Sequence, residues 1–179
     1  MLSACQASST PAPTETPRAS SVATATPTPT ETTPPPGDYY PFAVECSSLI
    51  PEDTVFAFNP NYVLDNSGAM APANTSDLVK AMEGTTCNFV NLSSQASLTI
   101  SVALLTAVST QVLEEQAAAS FTPVKVGAES GYFGTVAGSG VLQVFTTDGF
   151  WYTIAGPEVA GPDDIAGITD QLNRFLAEQ

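Results

Sequence analysis

Ser97-Leu98-Thr99-Ile100-Ser101-Val102-Ala103-Leu104 is the stretch whose reading decides the fold. Leu98, Ile100, Val102 and Leu104 alternate with Ser97, Thr99, Ser101 and Ala103, the two-residue period of a strand with one dry face. Apolar and β-branched residues dominate it, and neither Gly nor Pro interrupts it. Such a strand needs hydrogen-bonding partners and a cover for its dry face, and the chain on either side supplies both.

Immediately upstream, Cys87-Asn88-Phe89-Val90-Asn91-Leu92 reads as a first strand, and Ser93-Ser94-Gln95 returns it into the quoted one as an antiparallel hairpin. Before that, Asn74-Thr75-Ser76-Asp77 offers caps for a short helix over 76–83 that carries Leu78, Val79 and Met82 and stops at Gly84. Asp65-Asn66-Ser67-Gly68 is turn chemistry. Earlier still, Pro51 suits the first position of a short helix whose Glu52 and Asp53 face the positive end of its dipole, and Asn59-Pro60-Asn61 stops it.

Downstream, Thr110 to Ala119 are helix formers, and 121–127 reads as a linker or short strand. A meander follows: a strand over 131–136, a turn at Ala137-Gly138-Ser139-Gly140, a strand over 141–146, the hairpin signal Asp148-Gly149 and a last strand over 150–155. Gly161-Pro162-Asp163-Asp164 opens a final helix to Gln179. Its Ile165, Ile168, Leu172, Phe175 and Leu176 form one stripe, with Gly167 in it as an expected mark of close packing. The order helix, helix, hairpin, helix, meander, helix predicts an α+β fold: a mostly antiparallel sheet of five to six strands covered by helices.

The N-terminal part has a different character. Residues 1–37 hold eight of the 15 prolines among Thr, Ser and Ala, with no Ile and no aromatic. All nine Phe, all five Tyr and the single Trp lie from Asp38 onward. The expectation is a disordered Thr/Pro-rich tether over 1–37 and one α+β domain over 38–179. Extended, such a tether reaches on the order of 100 Å at about 3.1 Å per residue.

Met1-Leu2-Ser3-Ala4-Cys5 resembles the end of a bacterial lipoprotein signal peptide, in which Leu, a small residue and Ala or Gly precede the Cys. The resemblance implies cleavage before Cys5 and a diacylglycerol on its thiol. The charged and apolar segments of such a signal are absent, so the sequence is expected to begin inside it. Two or three acyl chains give stable anchoring, each buried methylene contributing about 0.8 kcal/mol. The alternative for Cys5 is an exposed thiol in a disordered tail.

With Cys5 lipidated, Cys46 and Cys87 remain as a pair in a non-cytoplasmic compartment. A bond between them would contribute roughly 3–4 kcal/mol on the chain-entropy view; the alternative is two buried free thiols. Cys46-Ser47-Ser48-Leu49-Ile50-Pro51, then Cys87-Asn88-Phe89 leading into Ser97–Val102, resembles a group of uncharacterised actinobacterial cell-envelope lipoproteins. These share a Cys…Leu-x-Pro pattern, a second Cys followed by an aromatic, and a domain similar to PsbP-like α/β sandwiches. The resemblance implies an extracytoplasmic lipoprotein on the outer face of the cytoplasmic membrane, and no catalytic residue.

The net charge of −14 repels phosphate backbones, so no nucleic-acid partner is expected. No run of about 18 apolar residues is present. The absence of His excludes Ser-His and Cys-His pairs and imidazole-held zinc. Ser76 and Lys80 read as an exposed helix pair rather than Ser-Lys chemistry. Gly134 to Gly140 read as a turn rather than a phosphate loop, and Glu114, Glu115, Asp163 and Asp164 as helix-surface and helix-start residues rather than catalytic pairs. No enzyme activity, cofactor or metal is expected. Phe150-Trp151-Tyr152 is the one candidate ligand site. If helices cover one sheet face only, Trp151 or the Phe150/Tyr152 pair is left to stack on a lipid, glycan or peptide; the alternative is that all three are core. The chain thus reads as a non-catalytic binding or scaffolding lipoprotein. Its partners would be the membrane through the lipid, and an envelope protein, lipid or glycan.

Overall fold

The computed structural model describes residues 38–66 and 74–179; residues 1–37, where the tether and Cys5 are expected, and Ser67 and Gly68 of the expected turn lie outside the described residues. The quoted stretch becomes the central strand. In chain order the elements are β1 (Tyr39–Tyr40), α1 (Cys46–Leu49), α2 (Glu52–Phe58), β2 (Tyr62–Leu64), α3 (Asn74–Ala81), β3 (Thr85–Asn91), β4 (Ser97–Leu105) and α4 (Ala107–Ser120). Then come β5 (Thr122–Val126), β6 (Glu129–Val136), β7 (Ser139–Phe145), β8 (Phe150–Gly156), a 3-10 turn (Pro162–Ile165) and α5 (Ala166–Leu176).

The α+β class and the antiparallel sheet are as the sequence reads, but among the described residues the sheet has eight strands, in the order β2-β3-β4-β8-β7-β6-β5, with β1 beside β4. The additional strands are short. β1 and β2 span two and three residues, too few to show a period of two. β5 realises the strand alternative for 121–127. β4 pairs with β3 as the expected hairpin and, on its other side, with β8, so Ile100 stands opposite both Cys87 and Ile154.

Both faces of the sheet are covered, not one. On the first face Leu98, Ile100 and Val102 pack with Phe89, Leu142, Val144, Phe150, Tyr152 and Ile154 under Leu49 and Ile50 from the α1 end, Val55 from α2 and Ile168, Leu172 and Leu176 from α5. Complete burial of each large aliphatic side chain contributes about 1.5–3 kcal/mol. On the second face Ala103, Leu105, Phe145 and Trp151 pack under Val79 from α3, Met82 just past its end, and Ala117 from α4. The set that was to be the wet side of β4 is therefore also inside, Thr99 and Ser101 included.

Local chemistry explains the boundaries. Thr106 caps α4 by accepting from Ser109 N, which starts this helix at Ala107, three residues earlier than propensity predicts. The Asp164 carboxylate accepts from Ala160 N and Gly161 N, the helix-start role expected of that acid. Thr146 N donates to Phe150 O, so the β7–β8 connection is a three-residue loop with Gly149 at φ +87°, rather than a two-residue turn at Asp148-Gly149.

Candidate functional site

Cys46 and Cys87 are bonded, with their Cα atoms 5.6 Å apart, and this joins the start of α1 to β3. The free-thiol alternative for this pair is excluded. Thr85 reinforces the same junction: its hydroxyl donates to Phe42 O and accepts from Val44 N.

The aromatic triplet obeys its alternation, Phe150 and Tyr152 going to the first face and Trp151 to the second. Because both faces are covered, none of the three presents a stacking surface: they are 6%, 0% and 1% exposed. Phe150 meets Phe42 edge-on and Trp151 stacks on Phe145. The Tyr152 hydroxyl donates to Asn173 Oδ1 of α5. Burial first, then the charge of Glu129, raises its pKa well above that of free tyrosine.

The second face holds a group the sequence does not single out. Register places Thr86 opposite Ser101, Ser101 opposite Thr153, Thr153 opposite Gln143, and Gln143 opposite Tyr132. Directly opposed residues share a face, so these five polar side chains form one row across β3, β4, β8, β7 and β6. Asn88 and Thr99 begin the adjacent row. Ser101, Thr153 and Gln143 are 0%, 1% and 5% exposed. Thr86 Oγ1 donates to Ser101 Oγ, Thr99 Oγ1 to Asn88 Oδ1, and Tyr132 OH to Glu114 of α4. Neither the Gln143 amide nor the Thr153 hydroxyl has a hydrogen-bond partner among the described residues, and the buried Trp151 Nε1 has none either. Alternation of polar and apolar residues in β4 hid this row, since polar positions in a strand ordinarily read as solvent-facing.

A second polar group lies at the far end of the sheet. Glu158 accepts from Asn59 Nδ2 at 2.9 Å, Asn91 Nδ2 at 3.2 Å and Ser94 Oγ at 3.4 Å. Asn91 Oδ1 in turn accepts from Ser93 N and Ser94 N. One carboxylate thus ties the loop after β8 to the end of α2 and to the β3–β4 turn. The Tyr62 hydroxyl is buried beside it without a hydrogen bond, and its pKa is pushed up to about 12, by desolvation first and then by the Glu158 charge. The side-chain donors of Asn59, Asn91 and Ser94 are committed to Glu158, which makes the cluster a brace.

The remaining candidates resolve structurally. Ser76 is buried and Lys80 exposed, which corrects their reading as an exposed pair and keeps them apart as nucleophile and base. Glu115 accepts from Gln111 on the exposed side of α4. Among the described residues no group of three metal-ligating side chains occurs, and no helix is long and apolar enough to cross a membrane. A shallow depression of about 220 Å³ lies over β5 and β6, lined by Pro123, Val124, Lys125, Ser130, Gly131 and Tyr132.

Fold and site define a disulfide-linked α+β domain in which helices cover both faces of one antiparallel sheet. Compared with known proteins, the chain matches no protein family, no curated protein and no solved structure.

Proposed function

We propose that this chain is an extracytoplasmic lipoprotein of the envelope group it resembles, anchored through Cys5 to the outer face of the cytoplasmic membrane. Its domain would serve as a non-catalytic binding or scaffolding module. The observation that supports the reading is the Cys46–Cys87 bond, since disulfides persist in oxidising compartments and are rare in reducing ones. The lipobox residues Leu2, Ser3, Ala4 and Cys5 and the Thr/Pro-rich stretch after them agree with it.

Anchoring is tested by growing an actinobacterial host that produces the chain behind a complete signal peptide with an alkyne analogue of palmitate. The expected result is label on the protein and its recovery with membranes, both lost in Cys5→Ala. An unlabelled protein in the soluble fraction refutes the reading.

A further inference from the structure

We propose that the open edge of the sheet at β5 is closed to a second copy of this chain by Pro123 and Lys125, which occupy the positions where an added strand would hydrogen-bond. β5 ends the strand order, and among the described residues it pairs with β6 alone. Thr122, Pro123 and Lys125 are exposed, which leaves this end of the sheet in solvent. An edge of this kind presents unpaired N–H and C=O groups and is a template for another chain.

Register fixes which backbone groups face outward. The two-residue loop Gly127-Ala128, with Gly127 at φ +62°, joins β5 to β6. The pair flanking such a loop, here Val126 and Glu129, exchanges both of its hydrogen bonds. Bonded and non-bonded pairs alternate along an antiparallel ladder. Val124 with Gly131 and Thr122 with Phe133 are therefore bonded too, while Pro123 and Lys125 turn their backbone groups away from β6. The other side of β6 agrees. Its two-residue loop Ala137-Gly138 makes Val136 with Ser139 a bonded pair, and hence also Gly134 with Val141 and Tyr132 with Gln143. That leaves Glu129, Gly131 and Phe133 to bond β5.

A second β5 would pair antiparallel across a two-fold axis, with outward-facing residues meeting outward-facing residues. With the axis at Val124, Pro123 opposes the copy's Lys125 in both halves, and each such pair lacks the N–H that Pro cannot supply. With the axis at Pro123, two residues without donors oppose each other. With the axis at Lys125, two ammonium groups stand directly opposite on one face, which is unfavourable, and each Pro123 again leaves a bond unmade. Every alignment that keeps the length of the strand therefore meets a defect, although Thr122, Val124 and Val126 are themselves good strand residues. At an outward position Pro123 removes no bond from the native ladder, so the domain itself loses nothing.

The inference goes beyond the lipoprotein reading and holds whether or not Cys5 carries a lipid. It is tested on the whole chain by sedimentation equilibrium, together with amide hydrogen exchange followed by NMR. The parent chain is expected to be monomeric, with the Lys125 amide exchanging about tenfold faster or more than the Val124 and Val126 amides, which are bonded to β6. Pro123→Thr supplies the missing donor, and the mass is expected to double or more while the Lys125 amide becomes protected. Pro123→Thr/Lys125→Pro moves the proline to the other outward position and is expected to be monomeric again. Two results overturn the proposal. One is a Lys125 amide in the parent chain as slow as its neighbours, which would mean that the edge is already covered; this measurement needs no variant to fold. The other is a Pro123→Thr chain that melts no lower than the parent and stays monomeric at the same concentration.

Discussion

Two tyrosines on the first face show how far a single hydroxyl's worth depends on its partner. Tyr152 OH donates to Asn173 Oδ1 at 3.0 Å, whereas Tyr62 OH is buried with no partner. Phe in place of Tyr152 removes a made hydrogen bond and leaves the Asn173 acceptor short, a loss of about 0.5–1.5 kcal/mol. Phe in place of Tyr62 removes a group that is desolvated without compensation, so Tyr62→Phe is expected to leave stability unchanged or raise it. Urea denaturation of both variants at neutral pH checks the ordering. A larger loss at Tyr62 than at Tyr152 would mean that Glu158 accepts from Tyr62 as well as from Asn59, Asn91 and Ser94.

Among the elements, two glycines with similar sequence surroundings have opposite roles. Gly140 opens β7 where the backbone after β8 crosses it, and a Cβ there would collide with the Val159 carbonyl. Gly167, in the first turn of α5, would place a Cβ in open space, so close packing, the expected reason for this glycine, is not what it provides. Gly140→Ala is therefore expected to destabilise by about 1–3 kcal/mol through overpacking. Gly167→Ala should stabilise by about 0.4–1 kcal/mol by restricting the unfolded chain. Thermal melting of the two variants in opposite directions is the outcome that checks the assignment.

The same contrast shows what a sequence discloses about elements. The β3–β4 hairpin and the β6–β7–β8 meander were legible because each strand is long enough to alternate and each turn has its Gly, Asn or Ser. β1 and β2 were not, since two or three residues carry no period and their pairing with Leu104, Leu105 and Phe89–Asn91 is purely tertiary. The polar row was invisible for a different reason. Ser101 and Thr153 look like solvent-facing positions until register sets them beside Gln143 and two helices flank them. The pairing of Cys46 with Cys87 was legible by count, while the brace at Glu158 joins residues as much as 99 positions apart and leaves no local signal.

For the whole molecule, the raised tyrosine pKa values become a statement about alkaline stability. Free tyrosine ionises near pH 10, whereas folded Tyr62 does so at about 12, through desolvation and then the Glu158 charge. Tyr152 is raised as well, through burial and then Glu129. Below pH 10 both groups keep their protons in either state and their contribution is fully present. Between pH 10 and 12 the unfolded chain releases the Tyr62 proton while the folded chain retains it. The unfolded state then binds fewer protons, and linkage requires stability to fall as pH rises through that window. Urea midpoints measured from pH 8 to about pH 12 should therefore be flat with respect to these groups at first and decline beyond 10. The double variant Tyr62→Phe/Tyr152→Phe should decline less steeply over the same window, because contributions shared with the parent chain cancel in the comparison. Equal slopes for the two proteins would mean that both hydroxyls ionise as freely in the folded state as in water, and hence that neither is desolvated as its burial requires.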